Sequence, residues 1–139
     1  MSGYMTKMHG NIYEGELVNG AAAPVANGTL MVIGSTGDKL VLPSADSTTK
    51  LIAKEKTTIY DGQPAVRFIV EKLAANYYFV ENAAEINDSG EYDIGNYTTA
   101  VGKFLRAHPL AVGDEFVVGT NLNATVGTAY GVLATGLIG

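Results

Sequence analysis

A chain of 139 residues with a net charge of −5, no cysteine and nine scattered Lys and Arg excludes disulfide scaffolds, thiolate nucleophiles and zinc–thiolate sites. It also argues against nucleic-acid binding through phosphate neutralisation. Hydrophobic residues make up 47% of the chain, enough for one core burying roughly two-thirds of the unfolded surface, and seventeen glycines among many Val, Thr, Ile and Tyr suit short strands and tight turns.

The fold predicted is mainly β: a single small β-barrel or β-sandwich domain over residues 11–139, with a flexible N-terminal arm over 1–10 and at most one short helix. The arm has no hydrophobic period and three methionines, so a partner is needed to order it, and Tyr4, Met5 and Met8 become interface candidates. It lacks the apolar core of a signal peptide, and no apolar run of about 18 residues occurs anywhere, so neither export by that route nor a membrane span is expected.

Asn11 to Val18 alternates imperfectly and reads as an edge strand ending at Asn19-Gly20. Next comes a phrase used twice, 85 positions apart: Pro24 to Ser35 and Pro109 to Thr120 share Pro, Ala, Gly, Val and Gly in register. In each, Pro fixes the approach, Gly28 or Gly113 takes a left-handed turn position, and a short apolar β-branched run follows. If the two phrases occupy equivalent places, both glycines have φ above zero. Ser35 to Asp38 is then a turn joining Thr29–Ile33 to Lys39–Leu42 as a hairpin, with Pro43 to Thr49 a polar loop.

Lys50–Tyr60 and Gln63–Val70 flank Asp61-Gly62, the strongest short-range hairpin signal in the chain. A helix competes, because Val66, Ile69, Val70, Leu73 and Tyr77 fall at helical spacing behind Asp61 as cap and Pro64 in the first turn. Tyr77 to Glu81 is a strand whose adjacent Tyr77 and Tyr78 face opposite ways, one to the core and one to solvent. A polar, acidic segment over 87–96 precedes strands at Thr98–Ala107, in the second phrase and at Thr128–Leu133, for eight to ten in all.

Chemistry finds little footing. His9 and His108 are the only histidines, no Gly-x-Ser-x-Gly elbow exists, and His108 before Pro109 reads as a surface or capping residue rather than a general base. Asp88, Glu91 and Asp93 do not match a calcium loop, and Gly34 to Lys39 lacks the spacing of a phosphate-binding loop, so no metal, cofactor or enzymatic activity is expected. Four Asn-x-Ser/Thr triplets, at Asn27, Asn87, Asn96 and Asn123, are assigned no role. Aromatic surface comes from tyrosines, and Tyr92 and Tyr97 around the acidic segment join the interface candidates, for a protein partner or a sugar.

Taken together, Tyr60 to Phe68, Tyr77 to Glu81, Gly102 to Leu110 and Val112 to Val118 resemble small structural proteins of tailed-phage heads, in particular capsid decoration or cement proteins. The resemblance spans roughly residues 11–120 and implies a non-enzymatic virion protein. Such a protein is made in the bacterial cytoplasm, sits on the outside of an assembled head and clamps neighbouring major capsid subunits. It implies a homo-oligomer and an arm that orders on the shell, with no nucleic acid and no membrane as partner. Another phage structural subunit, of the tail tube or a head fibre, and a carbohydrate-binding or adhesin-like β module are the alternatives.

Overall fold

The computed structural model describes residues 4–8, 13–47, 52–60, 63–73, 75–82, 98–119 and 129–138. Among these there are twelve strands and no helix: β1 Tyr4–Lys7, β2 Tyr13–Asn19, β3 Val25–Ala26, β4 Leu30–Ile33, β5 Lys39–Val41, β6 Ile52–Tyr60, β7 Gln63–Val70, β8 Tyr78–Val80, β9 Thr98–Thr99, β10 Phe104–Pro109, β11 Glu115–Gly119 and β12 Ala129–Tyr130. A closed barrel runs β10-β2-β5-β4-β8, an open sheet runs β1-β11-β7-β6-β12, and β3 pairs with β9. The chain is a small, mainly β domain built on a barrel.

The Asp61-Gly62 signal decides the middle of the chain. Tyr60 pairs with Gln63, a two-residue connection, and the ladder continues to Ile52 opposite Val70 with one register shift between Lys54 and Lys56. Val66, Ile69 and Val70 therefore lie on a strand, and their helical spacing is incidental, because a long β partner on either side offers them pairing that a lone helix would not.

Strand β2 is not an edge. It lies between β10, antiparallel, and β5, parallel, and so closes the barrel. Leu17 is buried in the barrel core, and the expectation of an edge came from the sequence alone, where two glutamates interrupt the apolar run. Residues 4–7 of the segment expected as an arm form β1, antiparallel to β11 with a bulge between Met5 and Lys7. Met5 is buried, and that apolar contact holds the strand on the sheet.

Two apolar cores result, on the two sides of one barrel wall. Leu17, Met31, Leu40, Tyr78, Val80, Leu105 and Ala107 fill the barrel. Leu30 and Phe79, alternating with them on β4 and β8, face outward and pack against Phe68, Phe116, Val70 and Met5 of the five-stranded sheet. The Phe79 and Phe116 rings lie 5.0 Å apart, and Phe116 is 5.8 Å from Phe68. Each of these fully buried phenyl rings contributes about 2–3 kcal/mol by removal from water. Tyr77 and Tyr78 do face opposite ways, but both are buried, because the strand stands between the two cores.

The twice-used phrase occupies equivalent places. Gly28 has φ 92° and Gly113 φ 91°. The turns close by Thr29 N–H to Ala26 O at 3.2 Å and Asp114 N–H to Ala111 O at 3.0 Å. Each glycine N–H then donates to a valine carbonyl on the neighbouring chain segment, Gly28 to Val80 at 2.7 Å and Gly113 to Val70 at 2.8 Å. The same valines donate back, Val80 to Thr29 O and Val70 to Asp114 O. Beyond the turns, Leu30 opposes Phe79 and Glu115 opposes Ile69, so β4 on β8 repeats as β11 on β7.

Candidate interaction surface

Strand β10 positions the surface with most claim to a function. Its exposure alternates from Phe104 to Arg106 around buried Leu105, which places Phe104 on the outer barrel wall, 61% exposed. Opposite it in the ladder stands half-buried Val18, and Val18 in turn opposes exposed Lys39. Val101, 49% exposed, and Ala100 adjoin Phe104 on the incoming turn, and Ala22, Ala23 and Pro24 are exposed on the neighbouring loop. An exposed phenylalanine among small apolar residues is the kind of patch that marks a contact site.

A buried polar network fixes that patch. Asn19 donates its side-chain amide to Thr99 O at 3.0 Å and Ala23 O at 3.3 Å, accepts from Ala21 N–H at 2.9 Å, and exchanges backbone bonds with Gly102 and Lys103. Both patch loops are thus tied to one side chain that is 1% exposed. Behind it, Asn82 and Asn27 pair: Asn82 N–H donates to Asn27 Oδ1 and Asn27 Nδ2 to Asn82 O. The Asn82 side chain donates to Thr99 Oγ1 at 2.6 Å and to Phe104 O, and accepts Arg106 N–H. Such satisfied buried amides specify one geometry rather than add bulk stability.

At the other end of β10 a charged group meets β1. Glu81 Oε2 accepts Met5 N–H at 2.5 Å, while its Oε1 lies 3.7 Å from Arg106 Nη1 and 3.7 Å from His108 Nε2. The carboxylate thereby clips the first strand onto the barrel. His108 is buried, and neither ring nitrogen has a hydrogen-bond partner. His108 stands opposite Phe79 of β8 and is 2% exposed, so it is a buried residue and not the surface or capping residue that its place before Pro109 suggests. On the β4–β5 turn the Thr36 hydroxyl donates to Asp38 Oδ1 at 2.5 Å, and this bond holds the Asp38 carboxyl below the ordinary carboxylate range.

The structure scatters the residues singled out from sequence. Tyr4 lies in β1 opposite Val117, Met5 is buried in the core between barrel and sheet, and Met8 is 50% exposed just past Lys7, which opposes Glu115. Exposed Val112 sits on the turn leading into Glu115, so Met8 and Val112 share the end of the sheet that β1 and β11 form. Tyr92 and Tyr97, with Asp88, Glu91 and Asp93, lie outside the described residues. Among the described residues no group of three His, Asp or Glu could hold a metal ion, and no helix is long and apolar enough to cross a membrane. Phe104 and Val101 were missed because a phenylalanine inside a strand phrase reads as core; the signal available was the polarity break at Gly102-Lys103 immediately before it. No family model, curated protein or solved structure matches this chain.

Proposed function

We propose that this chain is a non-enzymatic virion protein that binds the outside of an assembled phage head and ties neighbouring major capsid subunits together. The observation that supports it is a pair of exposed apolar points at opposite ends of one rigid strand. Phe104 with Val101 lies at the start of β10, and Val112 with Met8 lies beyond its end. The strand separates them by roughly 17 Å. A body with two such points, stiffened by the Asn82 network at one and the Glu81 clip at the other, can hold two neighbours at once. Many copies on a shell then add modest contacts through geometry rather than through one tight site.

Co-sedimentation with purified, expanded heads tests the reading, with free coat subunits and bare beads as controls. Saturable binding to heads alone, at a ratio set by shell symmetry, supports it. Protein that stays in the supernatant, or that polymerises into tubes by itself, refutes it and moves a tail-tube role ahead.

A further inference from the structure

Two of the nine asparagines in the chain are followed by glycine, Asn19-Gly20 and Asn27-Gly28, and both belong to the buried amide network. In an Asn-Gly pair the next backbone nitrogen reaches the side-chain carboxamide easily, because glycine puts no β-carbon in the way. The fold engages both partners of that reaction elsewhere. Gly20 N–H donates to Leu40 O at 2.8 Å and Gly28 N–H to Val80 O at 2.7 Å. The Asn19 carboxamide is held by Thr99 O, Ala23 O and Ala21 N–H, and that of Asn27 by the main chain of Asn82. Asn19 is 1% and Asn27 2% exposed, which keeps base and water away from both.

We propose that Asn19 and Asn27 are latent deamidation sites, closed by the fold and opened only when the segments around Phe104 come apart. In the opened chain the glycine nitrogen gives its proton to base and attacks the asparagine Cγ; the new N–Cγ bond closes a succinimide as the Cγ–Nδ2 bond breaks and ammonia leaves. Water then opens the ring to aspartate or, by cleaving at the main-chain carbonyl, to isoaspartate. The product cannot resume the old geometry. At position 19 a carboxylate oxygen would replace a donor that faces two carbonyl oxygens, buried from water. Isoaspartate would also lengthen the main chain where Asn19 bonds Gly102 and Lys103. Conversion therefore loosens the Phe104 face permanently. No shell takes part in this chemistry, so its test is separate from head binding.

Peptide mass mapping of the purified chain after incubation in warm, mildly alkaline buffer, with and without strong urea, tests it. In urea Asn19 and Asn27 convert faster than the other seven asparagines, and Gly20→Ala slows conversion at Asn19 there. In native buffer both sites convert at least about tenfold more slowly than in urea, since reaction waits on local opening. Asn82→Ala releases Thr99, so it raises the native rate several-fold at Asn19 and less at Asn27, whose bonds run to the Asn82 main chain. Asn19→Asp melts below the wild-type chain, and chain converted in urea does not regain the wild-type melting temperature on dilution. Equal native and urea rates at the two sites, slow conversion of both in urea, or an Asn19→Asp variant that melts like wild type overturns the proposal. Should Asn82→Ala fail to fold, the wild-type comparison decides alone.

Discussion

Replacing Asn82 with alanine tests whether the buried amide network holds the Phe104 face in place. The side chain makes three bonds: it accepts Arg106 N–H, donates to Thr99 Oγ1 at 2.6 Å, and donates to Phe104 O at 3.3 Å. The alanine variant keeps the backbone pair with Asn27 but strands a hydroxyl on Thr99, which is 3% exposed, and an amide on Arg106. At about 1 kcal/mol per lost bond, with the long third bond counting least and the stranded groups adding desolvation cost, the loss is about 2–4 kcal/mol. For a domain of this size that lowers Tm by roughly 10 °C. Urea denaturation followed by tyrosine emission, with no tryptophan to interfere, measures it. Hydrogen exchange should quicken most at 98–104. A double-mutant cycle with Thr99→Val isolates about 1 kcal/mol for their shared bond. A loss below about 1 kcal/mol, or exchange unchanged at 98–104, would show that the strands hold this face without the amides.

Gly28→Ala and Gly113→Ala should each cost about 1–2 kcal/mol, from placing a Cβ at φ near +90°, and the two costs should agree closely; one silent substitution would refute the equivalence of the two turns. Thr36→Val should raise the Asp38 pKa toward its ordinary value in an NMR titration. Because the folded-state value is depressed, the Thr36 bond stabilises the protein above the ordinary carboxylate range and its contribution fades as pH falls through the depressed value; an unmoved Asp38 in the Thr36→Val variant would assign the shift elsewhere. His108→Leu removes two buried nitrogens that lack hydrogen-bond partners, so Tm should hold or rise, and a fall of more than about 3 °C would mean that the contact with Glu81 stabilises the fold.

The parts of the fold legible in sequence are those governed by local backbone chemistry. Asp61-Gly62 specified its hairpin to the residue, and the two Pro-to-Gly phrases announced matching turns because the glycine conformation is needed whatever surrounds it. What escaped was decided by contacts distant in sequence. That β2 closes a barrel depends on β5 and β10, and that both Tyr77 and Tyr78 are buried depends on a second sheet behind the first. Met5 read as an interface residue because ten N-terminal residues show no period; its burial comes from Phe116, more than a hundred residues on. The candidate face was the least legible part, since exposure of Phe104 follows from its position on the uncovered side of the barrel, of which the polarity break at Gly102-Lys103 is only a local trace.

The pairing of β1 with β11 also sets an order of events at the ribosome. Tyr4 meets Val117 and Met5 meets Phe116, so β1 is made more than a hundred residues before the strand it pairs with. At about 5–20 residues per second, β1 waits on the order of ten seconds before its ladder can form. Glu81, which accepts the Met5 amide in the finished fold, is also made before β11. Until β11 arrives, β1 lacks the ladder partner it has in the fold and is open to pairing with a neighbouring nascent chain.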